Sequence, residues 1–169
     1  GDVLLALEST GLHTNGYTLA RQILFDRLRL SIDALLPETQ TTVADALLAV
    51  HRSYWTALLP VLSRIHGLAH ITGGGIPGNL IRVLPEGCHA VIDGGSWQLS
   101  SLYTLLQKAG EISDPEMRDV FNLGVGMVVV LPADQVGAVQ AVASAAGVRS
   151  WVLGEVRRGD RSVTWSSGA

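Results

Sequence analysis

The chain has a single cysteine, Cys88, in 169 residues, so no internal disulfide can form and no CxxC or Cys/His zinc spacing occurs. Charge is also scarce. Asp, Glu, Lys and Arg make up 16% of the residues, and a net charge of −3 with a pI near 5.9 leaves no electrostatic footprint for nucleic acid. No apolar run reaches the roughly 18 residues of a membrane span. The opening Gly1-Asp2-Val3-Leu4-Leu5 lacks the basic segment of a signal peptide. A disulfide scaffold, a nucleic-acid binder and a membrane helix are therefore excluded, and a soluble cytoplasmic domain is expected.

What is abundant is apolar and glycine-rich. Apolar residues reach 47% with mean hydropathy +0.32, which excludes disorder by composition. So little charge on a domain of this size implies that some apolar surface belongs to a missing partner. The length fits one domain, spanning residues 1–169. The chain opens without Met and enters an apolar run at its third residue, so a cut at a domain boundary is expected. The tail Ser166-Ser167-Gly168-Ala169 is expected to be loose.

Periodicity divides the chain into alternating elements. Short apolar runs predict strands at Val3–Leu7, Leu68–Ile71, Cys88–Ile92, Gly126–Leu131, Val148–Val156 and Ser162–Trp165. Three- and four-residue spacing predicts a helix from Tyr17 to Leu30, capped by Thr14 or Asn15. Further helices are predicted after Thr42, from Tyr54 to Ile65 with a kink or break at Pro60, and up to Val83. Others cover Leu99–Ala109, Pro115–Phe121 with Asp114 as cap, and the stretch from Pro132 to Ala146. The pattern predicts an α+β or α/β domain with a mixed sheet and helices packed on it.

Two glycine-rich segments follow strands. The first is Ser9-Thr10-Gly11-Leu12-His13-Thr14-Asn15-Gly16. Its glycines let a ligand approach the main chain, the amides at the following helix start suit phosphate, and Thr10, Thr14, Asn15 and His13 add polar groups. Sequence physics alone favours an ordinary capped turn with a packed histidine. The second is His70-Ile71-Thr72-Gly73-Gly74-Gly75-Ile76-Pro77-Gly78-Asn79. It is neither a P-loop nor GxGxxG, and its three consecutive glycines fit ligand approach and tight packing equally. His51 and His66 read as surface or packed imidazoles, His70 gains interest by preceding the loop, and Asp93 reads as a turn residue. No nucleophile elbow, carboxylate pair or metal cluster stands out, and no metal ligand is assigned.

Three segments carry a family likeness. Ser9 to Leu19 resembles the SSGxHSNGYSL segment of phosphoribosylformylglycinamidine cyclo-ligases (aminoimidazole ribonucleotide synthetases). Leu68 to Pro85 resembles their AHITGGGxxxNxxRxxP segment, and Glu116-Met117 with Phe121 to Met127 resembles EM…FNxGxGM. One stretch departs: where members read LLxPTxxY, this chain reads Leu47-Leu48-Ala49-Val50-His51-Arg52-Ser53-Tyr54, without the Pro-Thr pair.

The resemblance covers only the family's second domain. It implies a curved mixed sheet with helices on one side, and a ligand cleft shared with an N-terminal ATP-binding domain. It implies ATP and Mg²⁺ for the full-length enzyme, bound mainly by that domain, and no cofactor in this chain. The implied partners are a phosphorylated ribonucleotide substrate, the N-terminal domain, and a second copy in a homodimer. Gly11, Thr14, Asn15 and Gly16 are then expected to hold phosphate, with His13 as catalytic candidate. Thr72, Gly73, Gly74 and Gly75 are expected to line the same cleft, and Asn79 and Arg82 either to read substrate or to support the loop. Two alternatives stay open. One is a relative acting on another phosphorylated substrate, such as a selenophosphate synthetase, a thiamine-phosphate kinase or a hydrogenase-maturation protein; the other is a non-catalytic ligand-binding domain on the same scaffold.

Overall fold

The run Val3–Glu8 forms strand β1, and its inner residues Leu4 to Leu7 are wholly buried because both edges and both faces are covered. The computed structural model describes residues 1–37 and 39–166. The other strands are β2 (Gly67–His70), β3 (Cys88–Asp93), β4 (Val125–Leu131), β5 (Ser150–Arg158) and β6 (Ser162–Ser166). They form one six-stranded sheet in the order β2-β4-β1-β5-β3-β6. Every neighbouring pair is antiparallel except β3 with β6, so the sheet is mixed, as expected. Register shifts at Leu4/Leu5 and Leu7/Glu8 curl the sheet at β1.

Alternation along β1 separates two cores. Leu4 and Ala6 pack with Ala69, Val128 and Ile92 and with Ile76 and Leu80 of helix α4 (Gly75–Leu80). Leu5 and Leu7 face the other way, onto helices α3 (Trp55–Leu58) and α7 (Val136–Ala145) through Ala57, Leu58, Val139 and Ala143. Helical elements therefore cover both faces, which corrects the expectation of helices on one side. Such a strand is apolar at every position, which is why it reads as a continuous run. A third cluster joins α1 (Tyr17–Arg21), α5 (Ser101–Gly110) and α6 (Asp114–Val120) through Ile23, Leu24, Tyr103, Leu106, Met117 and Phe121.

The helix signals held better for position than for caps. Thr42 caps α2 (Val43–Leu47), its hydroxyl accepting from the Asp45 amide. The helix predicted for Tyr17–Leu30 runs as α1 and then as a wider π turn over Gln22–Arg27, where it stops. Neither Thr14 nor Asn15 caps it; Gly16 does, in the left-handed region at φ 73°. At α6 the cap is Ser113 rather than Asp114, which begins the helix. Pro60 opens a 3-10 turn, Leu59–Arg64, consistent with its missing N–H. Ser166 ends β6, and the expectation for residues 167–169 lies outside the described residues.

Packing explains one of the three consecutive glycines outright. Gly75 has φ 61°, and a Cβ there would overlap the carbonyl oxygen of Arg118 at the end of α6. Gly73, by contrast, faces open space, with Asn15 Oδ1 at 3.8 Å the only atom near a notional Cβ. Gly75→Ala should destabilise the chain by about 2 kcal/mol or more, whereas Gly73→Ala should stay within about 1 kcal/mol. Urea unfolding midpoints of the two variants check this, and equal losses would reject it.

Candidate functional site

Loop one leaves the end of β1 and is pinned from beneath by Asn122. The Asn122 Nδ2 donates to the Gly11 carbonyl at 2.9 Å, and its Oδ1 accepts from the Gly124 amide at 2.8 Å. The hydroxyls of Ser9 and Tyr103 each lie within donating range of both the Gly11 carbonyl and Asn122 Oδ1. Gly11 thus turns its carbonyl inward at φ 137°. Burial raises the Tyr103 hydroxyl pKa, so it remains a neutral donor. Asn122 and Tyr103 were not singled out as site-forming by sequence. The only signal was Asn122 within the third family-like segment.

The remaining loop-one residues divide by environment. His13 is 4% exposed, Thr14 is exposed, and Asn15 is half-buried. Gly16 is required by packing, since a Cβ there would overlap the Phe121 ring. Asn15 Nδ2 is buried without a hydrogen-bond partner, as is His13 Nδ1 two residues earlier.

Loop two is locked by its own asparagine. Buried Asn79 donates through Nδ2 to the carbonyls of Thr72, Gly73 and Gly75, while its Oδ1 accepts from Thr72 Oγ1 at 2.9 Å. Of its two expected roles, these bonds match loop support. The Gly74 amide donates to Asp119, with φ 90° at Gly74. Arg82 is exposed; its amide donates to the Asn79 carbonyl at 3.2 Å, and its side chain makes no hydrogen bond or ion pair among the described residues.

The two loops meet. Asn15 faces Gly73, and the imidazole of His13 stacks on that of His51 at 3.9 Å between centroids. His51 Nε2 lies 3.1 Å from His70 Nε2, so one ring donates and the other accepts. His51 belongs to the segment that departs from the family pattern, and sequence spacing gives no hint of its meeting residues 13 and 70. Gly126 makes room on β4: a Cβ there would overlap the Tyr54 hydroxyl and lie 2.6 Å from His13 Cε1. Tyr54 in turn donates to the Glu8 carbonyl at 2.8 Å, and burial raises its pKa.

On the other side of loop one lies a cleft of about 980 Å³. Ser9, Thr10 and Gly11 form one wall, with Arg52, Arg149 and Trp151 among the groups facing them. Loop two does not reach it. Within this chain the two loops instead approach each other at the Asn15–Gly73 junction.

Residues 1–166 match the family of AIR synthase related proteins, C-terminal domain. The chain belongs to that family. As an AIR synthase related C-terminal domain it is 42% identical over 166 residues to the phosphoribosylformylglycinamidine cyclo-ligase of Trichlorobacter lovleyi, covering 97% of this chain and 48% of that protein. It is 44% identical over 161 residues to the enzyme of the same name from Symbiobacterium thermophilum, covering 92% of this chain and 46% of that protein. The chain spans about half the length of the curated relatives it matches. Among solved structures, thiamine-monophosphate kinase from Stenotrophomonas maltophilia superposes with a TM-score of 0.64 at 18% identity, covering 98% of this chain and 50% of that one. The hydrogenase maturation protein HypE of E. coli gives 0.57 at 18% identity, covering 98% and 46%. These last two show the shared fold. No described helix is long and apolar enough to cross a membrane.

Burial, and then the charges of His51, His70 and Arg52, push the His13 pKa down to about 4. The imidazole is neutral at physiological pH and cannot pair with an anion as a cation. Because its folded pKa lies below the unfolded 6.5, the unfolded chain binds the extra proton between these values. Stability is complete above pH 6.5 and falls as pH drops towards 4, by about 3 kcal/mol at most. Urea unfolding in chelator-containing buffer should show this slope, and His13→Gln should flatten it. An unchanged slope in the variant would assign the effect to other groups.

Proposed function

We propose that this chain is the C-terminal half of an ATP-dependent cyclo-ligase that converts formylglycinamidine ribonucleotide into aminoimidazole ribonucleotide in purine biosynthesis. The 42% identity to proteins of that name, sustained over 97% of the chain, carries the reading. The remaining half of such a protein would be an N-terminal domain that binds ATP and forms most of a homodimer interface, in the cytoplasm.

The reaction activates a formyl oxygen by phosphorylation and then closes the ring. It demands placement and charge stabilisation more than covalent chemistry from side chains. Loop one suits this because its floor is fixed by Asn122 and cannot sag when an anion presses on it. The leftover donor of Asn15 and the open space at Gly73 would accept a phosphate oxygen of the ribonucleotide between the loops. Thr14 and Thr72 flank that position, and the exposed Arg82 would meet a more distant part of the substrate. Neutral His13 would act as a hydrogen-bonding brace.

The imidazole cluster of this chain does not suit Mg²⁺. The one group of three metal-competent side chains found among the described residues is made of imidazoles, and magnesium prefers hard oxygen ligands. This reading keeps ATP and Mg²⁺ on the N-terminal domain, as the family resemblance implies.

Assay of the full-length protein decides the matter. It should hydrolyse ATP only with formylglycinamidine ribonucleotide present and release aminoimidazole ribonucleotide; turnover of another substrate, or none, would overturn the reading. Asn15→Ala in that protein should cut kcat/KM by about tenfold or more with unchanged unfolding. The 169-residue chain alone should be inactive.

A further inference from the structure

We propose that His13, His51 and His70 form a binding site for one divalent transition-metal ion of the zinc class. The three residues come from loop one, from the divergent segment and from the end of β2, and one ring nitrogen of each lies within 4.8 Å of the others. The His51–His70 separation of 3.1 Å is the span of two nitrogens that share one ion at roughly 2.0–2.1 Å each. Imidazole is the ligand that zinc, cobalt, nickel and copper prefer and magnesium does not.

Proton accounting favours the ion. Without it, one of the His51 and His70 rings must carry its proton on Nε2 to bridge the pair. Moving that proton to Nδ1 frees both Nε2 lone pairs, with no net change in charge. His13 already holds its proton on Nδ1, since its Nε2 accepts from the Thr10 amide at 3.1 Å. That Nδ1 is buried without a partner, on a side chain only 4% exposed. Nothing anchors this edge of the ring, so His13 can give up its single amide bond and turn a nitrogen lone pair to the ion.

The surroundings set the ion's accessibility. His70 is exposed and His51 half-buried, so an ion enters from solvent and keeps an open position there. Arg52 opposes a cation electrostatically, but its guanidinium is turned to the Gly147 carbonyl at 3.2 Å. An ion at this place would clamp both loops to the segment bearing His51. The inference stands apart from the proposed reaction, because its readout is binding and requires neither substrate nor ATP.

Cobalt(II) titration of the 169-residue chain tests it. One equivalent should produce the intense visible bands of a low-coordinate nitrogen site and be displaced by zinc. His51→Thr, which restores the family's residue type, and His70→Gln should each weaken binding by about tenfold or more. Zinc should also perturb the ring-proton NMR signals of these three histidines while leaving those of His66 and His89 in place, a readout independent of any variant. Octahedral spectra only, or affinity that survives the His51→Thr/His70→Gln double variant, would overturn the site.

Discussion

The buried amide of Asn122 is the constraint on which the loop geometry depends. It ties the end of β1, the middle of α5 and the entrance to β4 at one point, through contacts to Gly11, Ser9, Tyr103 and the Gly124 amide. A network this buried is valuable only when every member is satisfied, since an unpaired group in a low-dielectric interior costs more than a bond contributes. The turn that delivers it carries strain. Leu123 sits at φ 55°, a position that costs a non-glycine residue about 1–3 kcal/mol. The strain is offset locally, because the Leu123 carbonyl accepts from Trp97 Nε1 and the Gly124 carbonyl from the Ser9 amide. Loop one is consequently shaped by an element far along the chain, not by its own capping residues.

That distance explains what sequence reasoning could and could not see. All six strands were legible, β1 and β4 most plainly because strands buried on both faces read as continuous apolar runs. Thr42 was legible as a cap because the bond it makes is local. The cap of α1 was not, because Gly16 is dictated by contact with Phe121, which no local rule reports. Helices on both faces were likewise hidden. The β1 run is consistent with cover on one face or two, and only the partition of Leu4 and Ala6 from Leu5 and Leu7 resolves it.

Glycine clusters show the same limit in sharper form. Gly73, Gly74 and Gly75 are equivalent as letters, and either close ligand approach or tight packing would select them. In the fold they separate. Gly75 is excluded from bearing a side chain by the Arg118 backbone, Gly74 turns the chain in the left-handed region, and Gly73 faces open space beside Asn15. Packing fixes Gly75 while space stays open at Gly73, so the three letters carry different constraints.

The histidines complete the contrast. Read singly, His13, His51 and His70 are a packed ring, a helix-surface ring and a loop neighbour. Gathered within reach of one another, they become mutually dependent: burial first, and then the neighbouring His51, lower the pKa of both His13 and His70. His13 and His70 lie in segments that resemble the family pattern, whereas His51 lies in the one that departs from it. A ring that would be ordinary on an isolated surface here lies between two other imidazoles. The stacked pair and the 3.1 Å nitrogen contact both run through His51. His51 therefore gives the loop junction its stacked ring and its nitrogen contact from a segment outside both glycine-rich loops.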